Sequence, residues 1–190
     1  EWVNNEKVLT ICSAGTITNT TEFVIKAFFH SQEGEKLVEV PPNGRTPIPI
    51  GYLVGAEMAV ECDDYIRMPG SVSLDTIHNC GVHVLSCVTT DAEQKFRYFY
   101  VKLSSAPGAT EKEITIYPPI TLTNLLPCSA DIAFAYKKKK SADEVFVDVG
   151  RIDSGKAQTF YQFDPTLDIR VRVSGVLEDV LSPAVYTLDA

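Results

Sequence analysis

The sequence predicts an all-β protein made of two tandem β-sandwich modules. Three observations lead to this fold class: short runs in which apolar and polar residues alternate, turn-forming residues between those runs, and a phrase that occurs twice. The 190 residues are 45% hydrophobic and 22% charged, which is ordinary for a globular chain of one or two domains. Many short strands without helices are typical of β-sandwiches.

The repeated phrase opens each predicted module. It runs from Leu9-Thr10-Ile11-Cys12 through Thr16-Ile17-Thr18 to Asn19, and again from Ile114-Thr115-Ile116-Tyr117 through Thr121-Leu122-Thr123 to Asn124. Self-similarity at a long period indicates a repeat array, in which each unit packs on its neighbour and no unit needs to catalyse a reaction.

The similarity continues beyond the two asparagines. Residues 23–28 match 131–136 with Phe28 opposite Tyr136, Gly44-Arg45 matches Gly155-Lys156, and residues 58–62 match 169–173. The matched strands keep their length while the loops grow, and loop insertions cost little free energy. We therefore expect a first β-sandwich repeat at residues 1–105 and a second at 106–190. Residues 63–101 have no second copy, so either the second module is truncated or the first contains extra strands.

Alternating residues mark individual strands. Leu167, Ile169, Val171 and Val173 alternate with Asp168, Arg170 and Arg172, and Val145, Val147 and Val149 repeat the pattern. Strands of this kind have one face in the core and one in water. Turn signals stand between the strands, for example at Pro41-Pro42-Asn43-Gly44 and Asp153-Ser154-Gly155.

The charge of the chain limits its partners. A formal net charge of -8 argues against nucleic-acid binding, which needs a basic surface. The basic run Lys137-Lys138-Lys139-Lys140 is interpreted as a solvated hairpin loop, with contact to anionic lipid as the alternative. No apolar run is long enough to form a transmembrane segment.

Cysteine and histidine residues do not form a recognisable reactive site. The five cysteines lack a close pair, which predicts neither disulfides nor zinc and fits a reducing compartment; Cys62 is expected to point inward as a small apolar residue. His78, Cys80, His83 and Cys87 are near one another, but their spacing fits no metal-ligand signature and no third supporting group is evident. We therefore predict that the chain is not an enzyme and uses no cofactor or metal.

The two asparagines are the candidate functional residues. A carboxamide donates and accepts hydrogen bonds at once, so Asn19 and Asn124 could each bracket two loops or contact a ligand directly. The sequence alone leaves both roles open.

The residues around Asn124 resemble a known family. Ile114-Thr115-Ile116-Tyr117-Pro118-Pro119-Ile120, followed by Thr123-Asn124-Leu125-Leu126-Pro127, is similar to the repeat opening of the adaptor-binding (VAB) domain of the vacuolar protein sorting-associated protein 13 family. In the first copy, Asn19 is followed by Thr20, Thr21 and Glu22 instead of Leu-Leu-Pro.

The resemblance implies a recruitment module within a bridge-like lipid-transfer protein. Family members bind Pro-x-Pro peptides of membrane adaptors, which places the protein in the cytoplasm, peripheral to organelle membranes and their contact sites. Asn19 and Asn124 are the positions that match the marked asparagine of the family.

A peptide surface is expected on the second module. An extended peptide can add to the edge of a sheet while its side chains enter apolar pockets. Phe160, Tyr161 and Phe163 offer aromatic residues on both phases of a strand, and Arg170 and Arg172 line the wet face of the next one. The alternative is that both aromatic phases are buried. Two other functions stay open: structural spacer repeats without a ligand, and a membrane-surface module.

Overall fold

A computed structural model describes residues 2–3, 6–7, 13–69, 71–75, 81–105, 111–137, 144–167, 169–174 and 184–187 of the chain. These residues form mostly β-strands, with a short 3-10 turn at Ile50–Tyr52. The prediction of an all-β protein is confirmed. The chain divides into two compact units, Glu1–Tyr117 and Pro118–Ala190. That each unit is a β-sandwich module of a tandem repeat stays a prediction.

The first unit is built on one large sheet. Its strands are β1 (Trp2–Val3), β2 (Glu6–Lys7), β3 (Gly15–Asn19), β4 (Ile25–Ser31), β5 (Gly34–Val40), β6 (Arg45–Ile48), β7 (Glu57–Cys62), β8 (Tyr65–Arg67), β9 (Val72–Ser73), β10 (His83–Thr89), β11 (Phe96–Ser105) and β12 (Lys112–Tyr117). Strands β1 and β2 pair with each other, and the others form a ten-stranded sheet in the order β5-β4-β7-β8-β10-β11-β12-β3-β6, with β9 beside β7.

The two ends of this sheet approach each other. The hydroxyl of Thr46 on β6 donates a hydrogen bond to the carbonyl of Glu39 on β5, at 3.0 Å. Apolar residues at alternate positions therefore face a shared interior, in which Phe29 and Phe99 are fully buried. Cys62 is also buried, as its place in the strand pattern predicts.

Strand β12 belongs to the first unit, although the repeated phrase assigns it to the second. It pairs antiparallel with β11 and parallel with β3. The compact units therefore divide after Tyr117, whereas the sequence repeat suggested a boundary at residues 105/106. The difference arises because backbone pairing with a distant strand, and not sequence similarity, decides which unit contains a strand.

The second unit has two smaller sheets. Its strands are β13 (Ile120–Thr123), β14 (Ala130–Lys137), β15 (Glu144–Ile152), β16 (Ala157–Phe160), β17 (Ile169–Ser174) and β18 (Ala184–Thr187). Strand β13 pairs with β16, and the other four form a sheet in the order β15-β14-β17-β18. Ile169 and Val171 are buried while Arg172 is exposed, so the predicted alternation of this strand is confirmed.

Strand pairing shows how the two units correspond. Ile25 of β4 lies opposite Val40, and Ala130 of β14 lies opposite Ile152. The carbonyls of Val40 and Ile152 both accept a hydrogen bond from the asparagine of their own unit, so Ile25 corresponds to Ala130 and, four residues further on, Phe29 corresponds to Phe134. Phe29 and Phe134 are both fully buried. The sequence match that set Phe28 against Tyr136 was therefore wrong, because Phe28 corresponds to Ala133. A pattern of period two fits several registers equally well, and only the hydrogen-bonded neighbours decide among them.

Candidate functional site

Asn124 joins three segments of the second unit. Its side-chain nitrogen Nδ2 donates hydrogen bonds to the carbonyls of Cys128 and Ile152, both at 2.8 Å. Its oxygen Oδ1 accepts one from the amide of Leu126 at 3.0 Å, and the side chain is buried. The carboxamide thus holds the loop after β13 against the end of β15.

Asn19 does the same in the first unit. Its Nδ2 donates to the carbonyls of Phe23 at 2.7 Å, Val40 at 3.2 Å and Pro41 at 3.1 Å. Its Oδ1 accepts from the amide and the hydroxyl of Thr21, at 2.9 and 2.8 Å. The hydroxyl of Thr21, which a leucine would lack, therefore gives the Asn19 oxygen one additional hydrogen bond.

The backbone amides of the two asparagines bond to matching turns elsewhere in their units. The amide of Asn19 donates to the carbonyl of Gly44, and the amide of Asn124 donates to the carbonyl of Lys156, both at 2.9 Å. Gly44 thus corresponds to Lys156, one position away from the match by sequence. At the preceding position, Asn43 and Gly155 both have positive φ, 50° and 70°. Asparagine and glycine are the residues that adopt this conformation most readily.

These asparagines stand out by burial. Among the described residues, the buried polar or charged side chains are Asn19, Thr21 and Asn124, and every buried side-chain nitrogen or oxygen has a hydrogen-bond partner. A buried carboxamide is stable only when its donors and acceptor are all used. The geometry accounts for the repeated asparagine as a brace between loops.

The aromatic residues singled out in the second module lie inside its unit. Phe160, Tyr161 and Phe163 are 2%, 6% and 6% exposed. The ring centroids of Phe160 and Phe163 lie 5.0 and 4.4 Å from that of Phe134, in the core. All three aromatic side chains are therefore buried, which is the alternative that the sequence left open. A role for them in peptide binding stays a prediction.

The two arginines lie on the opposite face of the second unit's four-stranded sheet. Strand pairing puts Phe146, Ala135 and Arg170 in one row across this face, and Asp148, Ala133 and Arg172 in the next. We call these six residues the outer face.

On the outer face, two alanines, Ala133 and Ala135, form a flat floor between larger side chains. Phe146 is 51% exposed, and the Arg172 guanidinium lies 5.9 Å from its ring centroid. The two alanines are covered, while Arg172 is exposed and Arg170 half-buried. An aromatic ring beside cationic side chains is an arrangement that can bind proline rings and carbonyl oxygens. Sequence reasoning missed Phe146, although an apolar residue on the wet phase of the Val145-Val147-Val149 strand was a signal.

The corresponding face of the first unit has a different chemistry. Phe28 stands in the place of Ala133, and the Arg67 guanidinium lies 4.5 Å from its ring centroid. Arg67 also forms a 2.6 Å ion pair with Glu35. This arginine is thus paired with both a carboxylate and an aromatic ring of its own unit.

An arginine also anchors the loop that Asn19 braces. The Arg97 guanidinium lies 4.1 Å from the ring centroids of both Phe23 and Tyr65 and donates a 2.8 Å hydrogen bond to Asp63. Burial acts to lower the pKa of Arg97, but the hydrogen bonds to Asp63 and Cys62 outweigh it and raise that pKa above its ordinary value. Arg97 therefore stays charged and clamps the loop to β8.

The reactive residues considered from the sequence do not form a site where the structure describes them. Cys87 is fully buried, and its Sγ lies 3.5 Å from that of Cys62. The hydrogen bond with Cys62 and burial raise the pKa of the Cys87 thiol. Across the described ranges, no three His, Cys, Asp or Glu side chains form a group suited to a metal ion. His78, Cys80 and Lys138 to Lys140 lie outside the described residues.

These contacts describe an all-β chain in which a buried asparagine holds two segments together in each compact unit. A family model described as the adaptor binding domain of vacuolar-sorting associated protein 13 matches residues 2–180, and the chain belongs to this family. No curated protein sequence matches the chain. Within the described ranges, no helix has the length and apolarity needed to cross a membrane. Membership of an adaptor-binding family implies a non-catalytic interaction role.

Proposed function

We propose that this chain is a cytoplasmic recruitment module that binds short Pro-x-Pro peptides of membrane adaptors. Binding would bring a bridge-like lipid-transfer protein to organelle membranes and their contact sites, where the module stays peripheral. The observation that supports this proposal most is Phe146, a half-exposed aromatic residue on strand β15, beside two arginines on the outer face. Family membership supports the adaptor-binding part of the proposal.

Strand β15 suits the addition of a peptide strand. It stands first in the order of its sheet and, in the described residues, pairs on one side only, with β14. Its free side presents backbone N–H and C=O groups that an extended peptide can pair with. At nine residues it is also long enough to pair with a short motif along its whole length.

The Pro-x-Pro pattern matches this geometry. In an extended strand, residues i and i+2 point to the same face, so both proline rings lie on one side of the sheet. Backbone groups of successive residues point alternately to the two sides of a strand. When the backbone of both prolines points away from β15, the N–H and C=O of the residue between them therefore point toward β15. A peptide beside β15 can therefore pack its rings on Phe146 without requiring an N–H that proline lacks.

The arginines supply charge complementarity. The chain carries a net charge of -8, whereas the outer face presents two arginines, Arg170 and Arg172, against one carboxylate, Asp148. Guanidinium groups donate hydrogen bonds to backbone carbonyls and to acidic side chains. We expect adaptor peptides with carboxylates next to the motif to bind more tightly, with an affinity that falls as salt is added.

The buried residues have supporting roles in this proposal. Asn124 and Asn19 brace the loops of their units, and Asn124 fixes the end of β15 through the carbonyl of Ile152. Phe160, Tyr161 and Phe163 fill the interior beneath the sheet, where Phe163 packs on Phe134. Phe134 lies on β14 between the two alanines of the outer face, so the core sets the position of the floor.

The test is a titration of the chain with a labelled Pro-x-Pro peptide and with an Ala-x-Ala control. Phe146→Ala is expected to weaken binding by about tenfold to thirtyfold, since an aromatic anchor contributes roughly 1.4 to 2 kcal/mol. Leu37→Ala is the matched control because Leu37 is a 43% exposed apolar residue on the edge strand β5 of the first unit. It should leave affinity unchanged.

Three outcomes would overturn the proposal. No saturable binding would favour spacer repeats without a ligand. An equal loss of affinity in Phe146→Ala and Leu37→Ala would mean that the peptide does not bind on the outer face. Binding to anionic vesicles without an adaptor peptide, lost when Lys137 to Lys140 are neutralised, would favour a membrane-surface module.

A further inference from the structure

Strands β3 and β13, which lead into Asn19 and Asn124, each have two edges, and the two units differ in how these edges are used. Strand β3 pairs with β6, Thr18 opposite Arg45, and strand β13 pairs with β16 in the same register, Thr123 opposite Ala157. Because Asn19 and Asn124 follow with the same hydrogen bonds, β3 and β13 are equivalent strands.

In the first unit, β12 occupies the second edge of β3. The two strands run parallel, with Ile114 opposite Ile17 and Ile116 opposite Asn19. The pairing continues past the strand end, where the amide of Thr20 donates to the carbonyl of Ile116 at 2.9 Å. All four paired residues are 0% exposed, so β12 both completes the backbone ladder and covers the core.

In the second unit, β13 pairs with β16 alone among the described residues. The residues next to its second edge are less covered than their counterparts: Leu122 is half-buried where Ile17 is fully buried. Leu125, which corresponds to Thr20, is 86% exposed. Since the amide of Asn124 points to the β16 side, the backbone groups of Thr121, Thr123 and Leu125 point to the second edge.

We propose that the second edge of β13 is a docking site for the opening strand of a further repeat of the same kind. This strand, the equivalent of β12, is called the lead strand below. The occupant is an extended segment with apolar residues at alternate positions, parallel to β13, as β12 is parallel to β3. Continuity within the chain supports this occupant: β12 is the opening phrase of the second repeat and completes the first. Each repeat of an array would then fold around the opening strand of the next one.

This arrangement differs from the peptide site on β15. A lead strand brings two buried isoleucines to the interior, whereas an adaptor peptide on β15 places its rings on the outer face. The two sites lie at different edges of different sheets, so either proposal can fail without the other.

The test uses a synthetic peptide of residues 111–119, which contains β12. The peptide is titrated into the isotope-labelled chain while backbone amide signals and amide hydrogen exchange are followed. We expect saturable shifts and added protection at Thr121, Thr123 and Leu125. A dilution series of the chain alone is recorded first; self-association that shifts these same amides would assign the edge to a second copy and overturn the proposed occupant.

Backbone methylation of the peptide provides a matched pair of controls. In β12, Ile116 presents its backbone to β3, while Thr115 presents its backbone to β11. N-methylation at Ile116 should therefore weaken binding by about tenfold or more, because it removes a pairing N–H and adds bulk at the shared edge. N-methylation at Thr115 should have little effect.

The result that would overturn the proposal is equally specific. It fails if the peptide does not bind, if both methylated peptides bind alike, or if the shifts map to β15 or to β3. It also fails if a Pro-x-Pro peptide, and not the lead-strand peptide, protects the amides of Thr121, Thr123 and Leu125.

Discussion

Replacing Asn124 with alanine should destabilise the second unit without affecting the first. The carboxamide makes three hydrogen bonds, to Cys128, Ile152 and Leu126, and is 7% exposed. Each such bond contributes about 1 kcal/mol net, and buried groups left without a partner cost more, so the loss should be about 3 to 4 kcal/mol. For a unit of this size, a loss of that order lowers the melting temperature by roughly 12–32 °C.

Amide hydrogen exchange read by mass spectrometry is the suitable assay, because it reports the two units separately. Protection should fall across Pro118–Ala190 and stay unchanged across Glu1–Tyr117. Leu125→Ala is the matched control. Leu125 directly follows Asn124 and is 86% exposed, so its replacement should change the free energy of unfolding by less than about 0.5 kcal/mol. Asn19→Ala should produce the mirror image, with loss confined to the first unit.

Two results would refute this reasoning. A loss below about 1 kcal/mol for Asn124→Ala would mean that the hydrogen bonds do not brace the fold. Equal loss in both units would mean that the effect is not local. Peptide affinity distinguishes a bracing role of Asn124 from direct recognition. It is measured at a temperature where the second unit of Asn124→Ala stays folded. If Asn124 only braces the fold, the affinity should change by less than about twofold, whereas a tenfold change would correspond to about 1.4 kcal/mol.

Three further predictions follow from individual contacts. Arg97→Lys should destabilise the first unit in denaturant by about 1 to 2 kcal/mol, because an ammonium cannot stack between two rings as the guanidinium does; an unchanged midpoint would contradict the clamp. Gly155→Ala should destabilise the second unit by about 1 to 2 kcal/mol because its φ is 70°, whereas Asn43→Gly at the matching turn should change the melt little; an equal effect of the two would be inconsistent with the turn geometry. Cys128, which is partly exposed, should react with a maleimide in the native chain, while Cys87, buried and with a raised pKa, should react only on unfolding; equal rates would show that the core thiol is accessible.

The candidate site was only partly predictable from the sequence. Asn19 and Asn124 were found because they repeat within a repeated phrase, and the structure gives them three equivalent backbone partners, with the carbonyl of Pro41 as an additional partner of Asn19. Phe160 and Phe163 were selected as surface residues because aromatic residues on both phases suggested one outward face. Strand β16 ends at Phe160 and Phe163 lies in the turn that follows, so both rings pack on Phe134, a contact that local sequence does not encode.

The sequence by itself determined the all-β class, the strand pattern and the positions of the two repeated asparagines, because alternation and turn chemistry act over a few neighbouring residues. Tertiary structure decided what depends on partners far along the chain. It showed that Phe28 corresponds to Ala133, since alternation with a period of two does not fix a register. It also assigned β12 to the first unit, because a parallel pairing with β3 joins residues about a hundred positions apart, and such a contact is selected by the whole sheet and not by any local segment.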